Sequence, residues 1–243
     1  YYGGLGARKV ATVAPSASVA VPSPAQRASR GQPARSRPAG GDDALAAGMG
    51  DGPHPARDVG APITIHGRVG EFGRNALLEK VHAAQALKSD TTYIHCCYFS
   101  EHEWQRVADT GGTISIAAQV GMQMGHGWPA VNKSYQFGLR PSLSIDVVTT
   151  VPGDMFTQMR AAFGGERARV NAICWEANTG VPETMLTARQ MLEMATIHGA
   201  HVAGLEDRTG SLTVGKQADV VVIDATALNV APVIDPVAAV VLC

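Results

Sequence analysis

From residue 61 onward, short β-branched runs alternate with longer stretches whose apolar residues recur every third or fourth position. The runs are Pro62–His66, Thr91–His95, Thr113–Ala117 and Ser142–Asp146. Their length and composition predict strands. Helical spacing follows in Leu77, Val81 and Ala84, in Trp104, Val107 and Ala108, and in Phe156, Met159 and Phe163. Ser100 with Glu103 and Thr187 with Gln190 have the spacing of capping boxes, which sharpens two helix starts. Such alternation is the signature of βα units on a parallel sheet, so the fold class is α/β. After a helix from Thr187 to about Gly199, the stretches "GSLTVGKQADVVVID" and "VAAVVLC" predict a small β element over residues 206–243.

Residues 1–60 have a different texture. Leu5 and Leu45 are their only leucines, Ile, Phe and Trp are absent, and Ala, Gly, Pro, Ser and Arg fill the rest. Such a segment cannot bury enough surface to offset its ordering entropy, so it is predicted to be a disordered or mis-joined tail. The chain thus divides into a tail (1–60), a βα region (61–205) and a C-terminal β segment (206–243).

Bulk composition removes several classes of function. With 243 residues, 45% of them hydrophobic, there is enough material for a real core. A formal net charge of -1 and a pI near 6.8 lack the basic excess of nucleic-acid binders. No apolar run approaches the roughly 18 residues that cross a bilayer, so membrane spanning is excluded on this reading. The four cysteines, Cys96, Cys97, Cys174 and Cys243, show no C-x-x-C spacing, which fits reduced thiols and a cytoplasmic setting.

Candidate chemistry lies at the strand ends. Three of the four predicted strands finish in a side chain able to bind metal: His66, His95 and Asp146. A lone strand-end histidine is usually a hydrogen-bonded, half-buried residue, and an aspartate after a strand is commonly a helix cap. Three at equivalent positions are another matter, because the C-terminal ends of parallel strands gather at one mouth in βα barrels. Two imidazoles and a carboxylate suit zinc or an iron-like divalent ion, and a water bound to such an ion becomes a nucleophile near neutral pH.

The segments "ITIHG", "YIHCCYFSEHEWQRVADTGGTISI", "MQMGHGWPA", "GLRPSLSIDVVTTVPGDMFTQMRAA" and "MLEMATIHGAHVAGLEDRTGSLTVGKQADVVVID" together resemble the C-terminal half of the amidohydrolase superfamily, in its cytosine deaminase and triazine chlorohydrolase branch. The resemblance implies a partial (β/α)8 TIM-like barrel of about four C-terminal βα units, followed by a small β element. It implies one zinc or iron ion held by His66 and Asp146, with Asp146 also shuttling a proton and His95 polarising the substrate. The implied reaction is attack of metal-activated water on a ring carbon of a small nitrogen heterocycle, expelling ammonia, an amine or chloride. His126 and Trp128, in "MGHGWPA", fall on the loop after the third predicted strand, where they would touch a planar substrate.

The departures are specific. The family's first-strand His-x-His pair is missing: the eight histidines are His54, His66, His82, His95, His102, His126, His198 and His201, and no two lie two apart. Gly121 stands where relatives carry Glu, and Cys97 where they carry Asn. The alternative reading is therefore a catalytically inactive half-barrel remnant. Either form would expose a barrel edge and is expected to self-associate.

Overall fold

The computed structural model describes residues 11–12, 55–70, 77–83, 87–182 and 185–243. Within them the strands are β1 (Ala11–Thr12), β2 (Ile63–His66), β3 (Thr91–Ile94), β4 (Thr113–Ile116) and β5 (Ser142–Leu143). They form one parallel sheet in the order β1-β2-β3-β4-β5. Four of these are the strands read from the sequence; β2 ends at His66 as predicted, and β3, β4 and β5 end earlier. The helices are α1 (Pro55–Asp58), α2 (Leu77–Ala83), α3 (Glu101–Thr110), α4 (Ala118–Gln123), α5 (Val131–Gln136), α6 (Met155–Glu176), α7 (Ala188–Ala195), α8 (Ile197–Val202) and α9 (Pro236–Leu242).

Register divides the sheet into two faces. Ile65 pairs with Tyr93, Tyr93 with Ile114, and Ile116 with Leu143, so these buried residues share one face and pack beneath the helices. Thr64, Thr92 and Thr113 line up on the other face, where the Thr92 and Thr113 hydroxyls hydrogen-bond at 2.8 Å. The apolar outer face packs against helices, as the wall of a βα barrel does.

Trp104, buried on α3, centres the aromatic packing. Phe99 meets its ring edge-on at 5.3 Å between centroids, and Phe137 stacks at 6.2 Å. Both predicted capping boxes form, at Ser100/Glu103 and Thr187/Gln190. Glu103 does more than cap: it is fully buried, and while one carboxylate oxygen takes the Ser100 amide, the other accepts from Arg68 Nε at 2.8 Å. A buried carboxylate with both oxygens bonded is tolerable where an unpaired one is not. This pair ties the loop after β2 to the start of α3.

Of the predicted tail, residues 11–12 and 55–60 are described, and the rest lies outside the described residues. The first pair runs parallel to β2, and the second forms α1, whose Arg57 makes a bidentate pair with Asp90 just before β3. Burial raises the Asp90 pKa, but the Arg57 guanidinium and the Thr91 hydroxyl more than offset this and hold it below the usual carboxylate range.

The C-terminal β element does not form among the described residues. "VAAVVLC" belongs to α9: the Asp235 carboxylate accepts from the amides of Val237 and Ala238, and Pro236 takes the first helical position. Asp followed by Pro is a helix-start signal that the hydrophobic run conceals. Val241 is buried as α9 packs on α6 and α7. Val220, Val221 and Val222 are exposed outside any strand, since no described segment runs beside them to complete a ladder. The helix predicted from Thr187 to Gly199 is broken at Thr196 into α7 and α8. Among the described residues no helix is long and apolar enough to cross a membrane.

Glu103→Ala is expected to lower the unfolding free energy by about 3 kcal/mol, because it removes the buried acceptor shared by Arg68 and the α3 cap. Urea denaturation with unchanged m-value checks this; a loss within about 0.5 kcal/mol would show the pair to be incidental.

Candidate metal centre

β3 ends at Ile94, and an uninterrupted strand would carry the next side chain back to the helix-side face with Tyr93. It does not continue. His95 and Cys96 adopt left-handed backbone, with φ of 67° and 55°, although His95 N still donates to Ser115 O at 2.9 Å. Asp146, beyond β5, has φ 69°. Histidine and aspartate tolerate this region better than bulkier residues, yet it still carries strain that surrounding structure must hold.

The result is a gathering of side chains from different strand ends. The His95 ring lies 5.4 Å from that of His66 and 5.0 Å from that of His126, centroid to centroid. His95 Nε2 stands 3.6 Å from Asp146 Oδ2. His95, His126 and Asp146 each offer one ligand atom within 4.8 Å of the other two. His66, exposed at the end of β2, is adjacent to this group but not a member of it. Trp128, two residues after His126, is half exposed at the same mouth, as is Tyr98.

The donor set fits a divalent cation. A separation of 3.6 Å is too long for a hydrogen bond. Metal bonds of about 2.0–2.2 Å at tetrahedral angles set neighbouring ligand atoms roughly 3.3–3.6 Å apart. His95 Nε2 and His126 Nδ1 are both enclosed without a hydrogen-bond partner. Buried polar atoms are ordinarily satisfied, and two unpartnered ring nitrogens within one group of possible ligands suit a bound cation. Burial, and then the neighbouring imidazoles of His126 and His66, push the His95 pKa from 6.5 down to about 4. His95 is therefore neutral at pH 7, the form that donates a lone pair to a metal.

The loops reinforce one another around His126. Its amide donates to Gly121 O at 2.8 Å, and its carbonyl accepts from Gly70 N at 2.9 Å. Gly125 and Gly127 flank it with φ of 73° and 129°. Gly127 is required twice over, because a Cβ there would meet Cys97 Cβ at 2.7 Å and the Tyr98 ring at 3.1 Å. The part of Gly70 and Gly127 in placing His126 was not apparent from spacing. A histidine between two glycines in "MGHGWPA" was the available signal, read in sequence only as a substrate contact.

The family model named Amidohydrolase family matches residues 55–241, and the chain belongs to that family. A 5'-deoxyadenosine deaminase from Methanosarcina acetivorans is 30% identical over 185 residues, spanning 72% of this chain and 40% of that protein. An adenosine deaminase from Xanthomonas campestris, solved with bound zinc, superposes with TM-score 0.65 at 22% identity, covering 77% of this chain and 43% of that one. Atrazine chlorohydrolase from Arthrobacter aurescens TC1, complexed with zinc, gives TM-score 0.67 at 18% identity, covering 83% and 43%. The chain therefore spans less than half the length of each of these relatives, and the sheet described above corresponds to part of a barrel.

One consequence is a pH dependence. A histidine whose folded pKa lies near 4 against 6.5 unfolded binds fewer protons when folded, so the metal-free chain should lose stability as pH falls through that window. Denaturation midpoints in chelating buffer should fall between these two values, with a shallower slope in His95→Gln; parallel curves for the two proteins would refute it.

Proposed function

We propose that this chain carries the metal-bearing side of a hydrolase that replaces an amino group or halogen on a ring carbon of a nitrogen heterocycle. The observation that supports this most directly is the convergence of His95, His126 and Asp146 at the strand ends of an amidohydrolase-family chain. Zinc or iron(II), when bound, supplies the Lewis acidity that brings a coordinated water to a pKa of about 7.

The chain's own groups then have distinct tasks. The Asp146 carboxylate, lying toward the mouth, accepts the proton of the attacking water and returns it to the departing nitrogen as ammonia or an amine leaves. Its Oδ2 faces His95, which leaves Oδ1 for the proton. Burial lowers the His95 pKa to about 4, which makes its imidazole a weak base for that proton. Trp128 and Tyr98 offer flat apolar faces at the rim on which a planar ring can lie. The relatives named as deaminases of 5'-deoxyadenosine and adenosine, and the atrazine chlorohydrolase, make an aminopurine or a substituted triazine the reasonable substrates.

The test is turnover by the purified chain, loaded with zinc or iron(II), on 5'-deoxyadenosine, adenosine, guanine, cytosine and atrazine, following ammonia or chloride. Release is expected with at least one substrate, and Asp146→Asn should reduce kcat about 100-fold or more. No release from any of them by the loaded chain favours the second reading, a non-catalytic half-barrel, which the absence of any His-x-His pair supports.

A further inference from the structure

We infer that α6 is a contact surface for a second copy of this chain, two such helices lying antiparallel so that Trp175 of each copy seats against Phe163 and Arg167 of the other. The inference is independent of the hydrolase reading, and it places self-association on a helix face rather than on the open edge of the sheet.

The outer face of α6 has the wrong residues for water. Trp175 is 86% exposed, whereas among the described Phe, Tyr and Trp residues the next is Tyr98 at 51%. Leaving so large an apolar ring in solvent forgoes the burial that aromatic side chains ordinarily supply. Trp175 also ends a row of exposed positions, Gly164, Ala168, Asn171 and Trp175, whose spacings of four, three and four are those of a helix-pair seam. A surface helix ordinarily turns charged residues outward along such a row. A Cβ added at Gly164 would meet nothing within 4 Å, so the end of the row opposite Trp175 has room for an incoming ring.

The receiving side lies on the same helix. An open cavity of about 480 Å³ separates α6 from the segment leading into α7, between Phe163, Arg167, Val181, Pro182, Met185 and Leu186. Arg167 stands over the Phe163 ring at 4.9 Å and donates to the Leu186 carbonyl at 3.1 Å, so its guanidinium is held at the cavity wall. A guanidinium stacked on one aromatic ring still offers its other face to a second. Trp175 follows Arg167 by eight positions, roughly 12 Å along a helix, and does not line its own chain's cavity.

Charge sets the direction of pairing. Glu176 is the last residue of α6, and no basic residue occupies that last turn. Its carboxylate therefore adds to the negative end of the helix dipole. Among the described residues neither Glu176 nor Arg167 takes part in an ion pair within the chain. Antiparallel pairing about a two-fold axis brings the Glu176 end of one α6 beside Arg167 of the other, and symmetry repeats the contact. The same pairing sets Trp175 over Gly164 and Ala168 of the second copy, whose small side chains let the helices approach. Parallel pairing would set Glu176 against Glu176.

The test is sedimentation velocity on the full chain over a range of concentrations, where a monomer–dimer equilibrium is expected. Trp175→Asp, at an exposed position, should keep the parent's circular dichroism and thermal midpoint while weakening the dimer at least about 30-fold. Arg167→Glu and Glu176→Arg should each weaken it about tenfold or more. The double variant should return to within about threefold of the parent, a recovery that a misfolded chain would not give. A chain that stays monomeric at every concentration, a double variant no better than the single ones, or a dimer indifferent to Trp175→Asp would each overturn the inference, the last by assigning association to another surface such as the sheet edge.

Discussion

The site exists because two strands stop alternating. In a parallel sheet each side chain's face is set by parity, and parity alone would send His95 in among the helices beside Tyr93. The left-handed backbone at His95 and Cys96 breaks that parity one residue after Ile94, and the corresponding turn at Asp146 follows β5. Both turns leave the ladder in place up to their edge, since His95 N and Ser144 N still reach carbonyls on β4. The sheet supplies rigidity and the turns supply direction.

Holding strained turns requires surroundings that cannot relax. Here they come from interlocked loops more than from any one element. The Arg68–Glu103 pair fastens the loop after β2 to α3, and Tyr98 N donates to Arg68 O. Gly70 then bonds to His126, while Gly127 lies against Cys97 and Tyr98. The loops that follow three neighbouring strands thus share hydrogen bonds and packing at one mouth. Fixing a ligand on one loop stiffens the others, and a cation gathered among them would draw on groups that are already ordered.

Much was legible from local pattern. Strands β2 to β5, the helices carrying Trp104 and Met159, and both capping boxes follow from short-range periodicity and hydrogen-bond chemistry. Two readings failed for local reasons too. The run "VAAVVLC" has strand-like hydrophobicity, but Asp235 and Pro236 ahead of it cap a helix. The stretch "GSLTVGKQADVVVID" likewise forms no strand among the described residues: Lys216 donates to the carbonyls of Glu206 and Thr209 and closes a turn, and the valines that follow are exposed.

The amino-acid sequence by itself determined the α/β class, the family, and the presence of His66, His95 and Asp146 at strand ends, because periodicity, caps and motifs are written within a few residues of one another. Tertiary structure decided which of those groups meet. His126 lies thirty-one positions after His95 and twenty before Asp146, and only the crossing of three loops puts its ring 5.0 Å from that of His95. Likewise His66 pairs with Ile94, one step short of His95, and its exposed ring comes to lie 5.4 Å from that of His95. Spacing reports where a side chain starts; backbone torsion and loop contacts determine where its nitrogen arrives.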